Sequence, residues 1–185
     1  MGEQLKQLDE KLISFINDQQ LYFVGTAGAE GFVNVSPKGM DSFRVISETR
    51  VAWLNLTGSG NESASHVQEN SRMTVMFCSF DKTPLILRLY GSARVIHERD
   101  SEWSEWLGLF PDYEGARQVF LLDIEMVQTS CGFAVPYFEP KGERSTLVRW
   151  AEKKGKQGVA DFQKKHNLKD LNGRDTGLLK RVLSE

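Results

Sequence analysis

The amino-acid sequence predicts a mainly β fold of the α+β class: an antiparallel sheet that closes into a barrel, with helices at its periphery. Three features point there: five or six β-rich runs, mostly short connections between them, and a C-terminal third whose apolar spacing turns helical. At 185 residues the chain has the length of one compact domain. Its 40% hydrophobic and 26% charged residues lie in the globular range, with no long apolar run and no low-complexity tract.

Leu5, Leu8, Leu12, Phe15 and Ile16 recur at three- and four-residue steps among polar residues, an apolar stripe on a first helix that should cover the sheet. LYFVGTA (residues 21–27) and FVNVS (32–36) are β-rich and joined by Gly28-Ala29-Glu30-Gly31, which reads as a hairpin. RVAWLNL (50–56), RMTVMFCSF (72–80), PLILRLYGSARVIH (84–97) and FLLDIEMVQTS (120–130) supply the remaining strands, the last after a helical stretch around Ser101 to Leu109. GERSTLVRWAEKKG (142–155), GVADFQKKHN (158–167) and TGLLKRVLSE (176–185) read as helices punctuated by glycine, peripheral rather than a second core. There are no internal repeats.

With 23 basic and 25 acidic side chains the formal charge is −2, so no net positive field draws the protein to nucleic acid or anionic lipid. Cys78 and Cys131 lie far apart, and the N-terminus reads as a polar amphipathic segment rather than a secretory leader, so the cytoplasm with reduced thiols is expected. Met1-Gly2 lacks the Ser or Thr of a myristoylation motif, Lys6 standing in its place. His66, His97 and His166 are scattered singly, which does not make a metal site.

The loop Thr57-Gly58-Ser59-Gly60-Asn61-Glu62-Ser63 leaves an apolar strand and enters a short helical stretch. Glycines admit an anion to the backbone, amides at a helix start point outward, and Ser59 and Ser63 add hydroxyls, so the loop suits a phosphate; the bland alternative is a capped polar turn. Gly58-x-Gly60 followed by Asp81 imitates a dinucleotide fingerprint, but Ser63 replaces the third glycine and the flanking segments read as hairpins. Lys38, ending a strand before a turn, suits a phosphate or a flavin ring, or is simply solvated. Arg88 alternates with leucines and points away from them, into a polar cleft or to water. Cys131 has no histidine near it in sequence, so an inert thiol outweighs a nucleophile. No G-x-S-x-G elbow occurs, and Trp103, Trp106 and Trp150 read as helix-packing residues.

In order, VNVSPKG, VAWLNLTGSGNES, ILRLYGSARV and TSCGFAVP resemble the FMN-binding split-barrel family of pyridoxamine 5′-phosphate oxidase-like proteins, over about residues 20–140. The resemblance implies a six-stranded antiparallel split β-barrel, a homodimer with FMN at the subunit interface, and oxidoreductase chemistry in many members. The helical segments from about residue 141 to 185 then form an extension of a single domain. By the same resemblance Val33 to Lys38, including Val35, Ser36 and Pro37, look like the strand that lines the flavin, and Leu54 and Asn55 look like the next backbone contact.

Thr57, Ser59, Gly60, Asn61 and Ser63 fall in the phosphate loop, with Lys38 or Arg88 as the supplementary charge. Gly60 and Asn61 stand where the oxidases themselves carry an Arg-Lys pair on the phosphate, and Val33 where they carry an arginine. Asn172-Gly173-Arg174-Asp175 does not match their substrate-binding Arg/His pattern, which speaks against pyridoxamine phosphate as substrate. The leading expectation is an FMN-dependent oxidoreductase that acts on a small molecule by hydride transfer, with no catalytic residue identified. The alternatives are a non-catalytic flavin- or haem-binding module and a deazaflavin-dependent reductase on the same barrel.

Overall fold

The structure, a computed structural model, describes residues 2–179. Along the chain lie β1 (Gln4–Leu5), α1 (Glu10–Asp18), β2 (Tyr22–Thr26), β3 (Asn34–Lys38), β4 (Phe43–Ser47) and β5 (Arg50–Leu56). They are followed by α2 (Glu62–Glu69), β6 (Arg72–Cys78), β7 (Ile86–His97), α3 (Trp103–Leu107), β8 (Ala116–Ser130) and α4 (Thr146–His166). The sheet runs β3-β2-β6-β7-β8-β5-β4 with β1 added beside β8, and each pairing is antiparallel.

Strands β3 and β4 stand at opposite ends of that path, yet four residues, 39–42, join them. Four residues reach at most about 14 Å, so the sheet has to curl until its two edges face each other. Side chains close the seam where ladder bonds do not: the Tyr22 and Phe43 rings lie 4.9 Å apart, and Tyr22 Oη is 2.8 Å from Ser42 Oγ. The architecture is the expected split barrel of the α+β class. It has more strands than the six expected, because FRVIS forms β4 and Leu5 pairs with Val127 in β1 instead of opening the first helix.

Alternation explains the core. In β2, Tyr22, Val24 and Thr26 face inward, while β5 is buried on both faces. Val51 and Trp53 enter the barrel, where Trp53 stacks on Phe120 at 4.3 Å, and Ala52 and Leu54 join Ile96, Val119 and Leu121 in a second cluster beside α3. Helix α1 starts at Asp9, whose carboxylate accepts the Leu12 amide at 2.8 Å, and buries Leu12 and Ile16 against the main core. The β2–β3 hairpin is confirmed, with residues 27–33 as its connection; Phe32 and Val33 lie outside the strand and exposed.

Helix α4 merges the two helical segments expected there and kinks at Gly155, whose φ of 63° is left-handed. Of the third expected helix, residues 176–179 are irregular and residues 180–185 lie outside the described residues. No helix among the described residues is long and apolar enough to cross a membrane.

Between Tyr90 and Gly91 the β7–β8 register slips by one residue, a bulge that bends the longest strand pair. A Cβ on Gly91 would run into the Asp123 carbonyl oxygen across the ladder, and backbone cannot yield cheaply there. Gly91→Ala is therefore expected to destabilise the fold by about 2–3 kcal/mol, the upper part of the usual range of about 1–3 kcal/mol for forced overpacking, measured as a lowered urea midpoint with unchanged slope.

Candidate functional site

A cavity of about 1160 Å³ opens where the end of β3, the loop after β5 and α4 converge. Pro37, Gly39 and Met40 form one side, and Thr57, Gly58 and Ser59 another. The chain turns sharply here: Met40 has a left-handed φ of 63°, and Ser42 Oγ donates to the Gly39 carbonyl at 2.7 Å. Aromatic pairs complete the walls, Phe80 edge-on to Phe138 at 5.3 Å and Trp150 edge-on to Phe162 at 5.0 Å. A site this large, apolar in its walls and polar at one end, has the size and character of a cofactor or substrate pocket.

Beneath the loop lies a buried polar network. Lys38 Nζ donates to Asn55 Oδ1 at 3.4 Å and sits 5.2 Å above the Trp53 ring. Asn55 Nδ2 donates to Asn61 Oδ1 at 3.4 Å and to Gln118 Oε1 at 3.1 Å, while Asn61 Nδ2 reaches the Asn167 carbonyl at 3.4 Å. Burial pushes Lys38 down to about 8; the Arg117 guanidinium adds repulsion, and the Glu62 carboxylate opposes both. Lys38 forms no ion pair among the described residues; its charge is met by the Asn55 oxygen, the Trp53 ring and the more distant Glu62 carboxylate.

A second network joins β2, β3 and α2. Thr26 Oγ1 donates to Ser63 Oγ at 3.4 Å, Asn34 Nδ2 reaches the same oxygen at 3.2 Å, and Ser36 Oγ donates to Asn34 Oδ1 at 3.0 Å. The segment after α4 folds across this end. Asp170 accepts from Ser65 Oγ at 2.7 Å and Arg174 Nε at 2.9 Å; burial pushes its carboxyl up, but these bonds and two backbone amides hold it below the usual range. His66 is fully buried with its Nε2 3.9 Å from Asp170; burial first, then the Arg174 charge, keeps it below its ordinary pKa, against Asp170.

The structure gathers some of the expected residues and separates others. Pro37, Thr57 and Ser59 line the large cavity, and Lys38 and Asn55 lie beneath it. Asn61 and Ser63 instead face inward and are taken up by side-chain partners, and an added Cβ on Gly60 would meet the Glu62 carboxylate. Ser36 is half-buried in the second network, Leu54 is core, and Val35 is 65% exposed on the outer face.

Arg88 projects from β7, three places from β3, and donates to Ser130 Oγ at 3.3 Å. The entirely antiparallel sheet excludes the dinucleotide-fold alternative, and Asp81 shapes a turn by accepting from Ser79 Oγ at 2.7 Å and the Thr83 amide at 2.8 Å. Sequence reasoning missed Phe80, Phe138 and Phe162 as walls, as well as Gln118 and Arg117. Trp150 does pack a helix as expected, but it also lines the cavity.

The family model for pyridoxamine 5′-phosphate oxidase matches residues 8–131. The chain is 39% identical to the pyridoxamine 5′-phosphate oxidase family protein ustO of Aspergillus flavus, over 186 aligned positions that take in 91% of this chain and 75% of that protein. Among solved structures, a candidate pyridoxamine 5′-phosphate oxidase from Lactobacillus delbrueckii superposes with a TM-score of 0.54 at 23% identity, over 66% of this chain and 94% of that one. A HupZ variant of Group A Streptococcus gives 0.51 at 20% identity, over 66% and 98%. Both share the fold.

Lys38 holds fewer protons in the folded state than in the unfolded one, where its ordinary value is 10.5, so stability should rise as pH goes from about 8 towards 10.5. The expected slope is at most about 1.4 kcal/mol per pH unit. Lys38→Met should flatten it, as read by urea unfolding across that window.

Proposed function

The chain belongs to the pyridoxamine 5′-phosphate oxidase family, and on that premise we propose that it is an FMN-binding oxidoreductase of that class, acting on a small organic substrate as a homodimer. The observation that carries this reading is the meeting of the β3 end and the Gly58-Ser59 turn on one aromatic-walled cavity of about 1160 Å³. These residues fit the cofactor: the aromatic and proline walls suit a planar ring, while Thr57, Ser59 and the glycine backbone suit a phosphate. At α2 the Asn61 side chain makes no cap bond, which leaves first-turn amides of that helix without a side-chain acceptor.

FMN, when bound, supplies hydride transfer. The protein supplies the rest. Lys38, held over Trp53 and against Asn55, places positive charge next to the cavity-lining Pro37 and Gly39, moderated by the Glu62 carboxylate but not paired with it. Phe80, Phe138, Trp150 and Phe162 offer apolar surface against which a planar ring would pack. Arg174 uses its Nε and Nη1 on Asp170, Glu69 and the Glu30 carbonyl, and Asn172-Gly173-Arg174-Asp175 departs from the oxidases' substrate-binding pattern, so pyridoxamine phosphate itself is not the proposed substrate.

Exposed Phe32, Val33 and Val35 beside and along β3 give a second copy an apolar face to bury. We take the compartment to be the cytoplasm, on the two unpaired cysteines.

The purified protein should show a flavin spectrum or acquire one on titration with FMN, and light scattering should return the mass of two chains. Lys38→Ala should weaken FMN by at least about tenfold, or about 1.4 kcal/mol, with the far-UV spectrum unchanged. A protein that binds neither FMN nor riboflavin would refute the proposal. One that binds FMN whose band is bleached by dithionite but by no nicotinamide donor or organic substrate would reduce it to a binding module.

A further inference from the structure

A second cavity, of about 390 Å³, lies between the turn after β7, the start of β8 and the second half of α4. It shares no lining residue with the large cavity. Its charged lining is Arg99, Arg117 and Lys164 against the single carboxylate of Glu98. Ala116, Ala160 and Leu178 make the rest of the wall apolar.

Arg117 is the unusual member. The β5–β8 register passes from Asn55 opposite Gln118 to Leu56 opposite Ala116, so Arg117 is the residue that the bulge inserts. It is only 4% exposed, and its Nε and Nη1 find no acceptor among the described residues. Burial brings it down to about 10, against the pull of the Glu62 carboxylate, so it remains a cation at neutral pH. A buried guanidinium with unused N–H groups carries its full desolvation cost until an anion meets it. Arg99 is better satisfied: it donates to the Leu178 carbonyl at 2.9 Å and has its Nε 4.0 Å from Asp100.

We propose that this cavity is a second small-molecule site, which binds a carboxylate or phosphate group on a small carbon skeleton through Arg117, with Lys164 at its mouth. The charge balance selects an anion, and the planar fork of Arg117 suits a two-oxygen acceptor. The volume and the alanine and leucine wall favour a small organic anion over a bare ion. Gln163 lines this cavity and donates to Thr57 Oγ1 at 2.8 Å, so an occupant would press on the loop that borders the other one.

The test is calorimetric titration of the full protein with inorganic phosphate, glycerol phosphate and succinate. At least one should bind one to one, and an organic anion should bind more tightly than inorganic phosphate. Arg117→Met should weaken that binding by at least about tenfold, and Lys164→Gln by less, since an exposed cation contributes less than a buried one. If Arg117→Met fails to fold, Arg117→Lys keeps the charge and loses the fork, and the same weakening is expected. Three results would overturn the proposal: no binding of any of the three by the wild-type protein at millimolar concentration, binding undiminished in the Arg117 variants, or binding lost in Lys38→Ala but kept in Arg117→Met, which would put the anion at the large cavity.

Discussion

Strand β8 is the constraint on which the rest of the molecule depends. Its 15 residues pair with β7 along one edge, and with β5 and then β1 along the other. A straight strand of that length would hold a flat sheet. The bulge at Tyr90 and Gly91 and the second one at Leu56 bend it, so that one strand serves both walls of the barrel. Curling then brings Tyr22 against Ser42 and Phe43, and the short 39–42 connection becomes possible. That same connection sets the left-handed turn at Met40 and one lip of the large cavity. The geometry of the candidate site thus descends from the bend in β8.

The barrel is filled in two different ways along its length. Trp53, Phe77, Phe120 and the surrounding aliphatic residues pack one stretch, whereas Asn55, Asn61, Gln118, Ser63 and Thr26 occupy the stretch beneath the β5–α2 loop. Polar groups buried in such numbers tolerate little rearrangement, because each depends on a specific partner. The C-terminal segment supplies several of those partners: the Asn167 carbonyl accepts from Asn61, and Asp170 accepts from Ser65. An extension that looks peripheral therefore fixes the inner wall of the barrel.

Much of the fold was legible because its signals are local. β-rich composition marked β2 and β6, the continuous apolar run of β5 reflects burial on both faces, and Gly155 split the C-terminal helix where a glycine was expected to. FRVIS escaped notice because a five-residue strand with arginine and serine shows no clear period. Leu5 continued the spacing of Leu8 and Leu12 and so read as helix, although it pairs with Val127. The site was legible only in part. Thr57 and Ser59 reach the cavity because a glycine turn announces itself. The inward turn of Asn61 and Ser63 depends on Asn55 and Asn34 and, for Asn61, on a carbonyl more than a hundred residues downstream. Arg117, one basic residue before an apolar run, reads as solvated, and only a bulge and a distant helix bury it.

A sheet that curls without zipping shut keeps two open margins, and open margins are where foreign strands attach. Here each margin is blunted by different chemistry. Pro37 sits in β3, where it can offer no N–H to an incoming strand, and the register of β4 breaks between Val45 and Ser47. Growth along either edge is thereby denied. Assembly through faces is finite when the symmetry closes, whereas assembly through edges has no natural end. The split is in this sense a safe one: side chains rather than ladder bonds close the seam, and neither margin becomes a template for fibres.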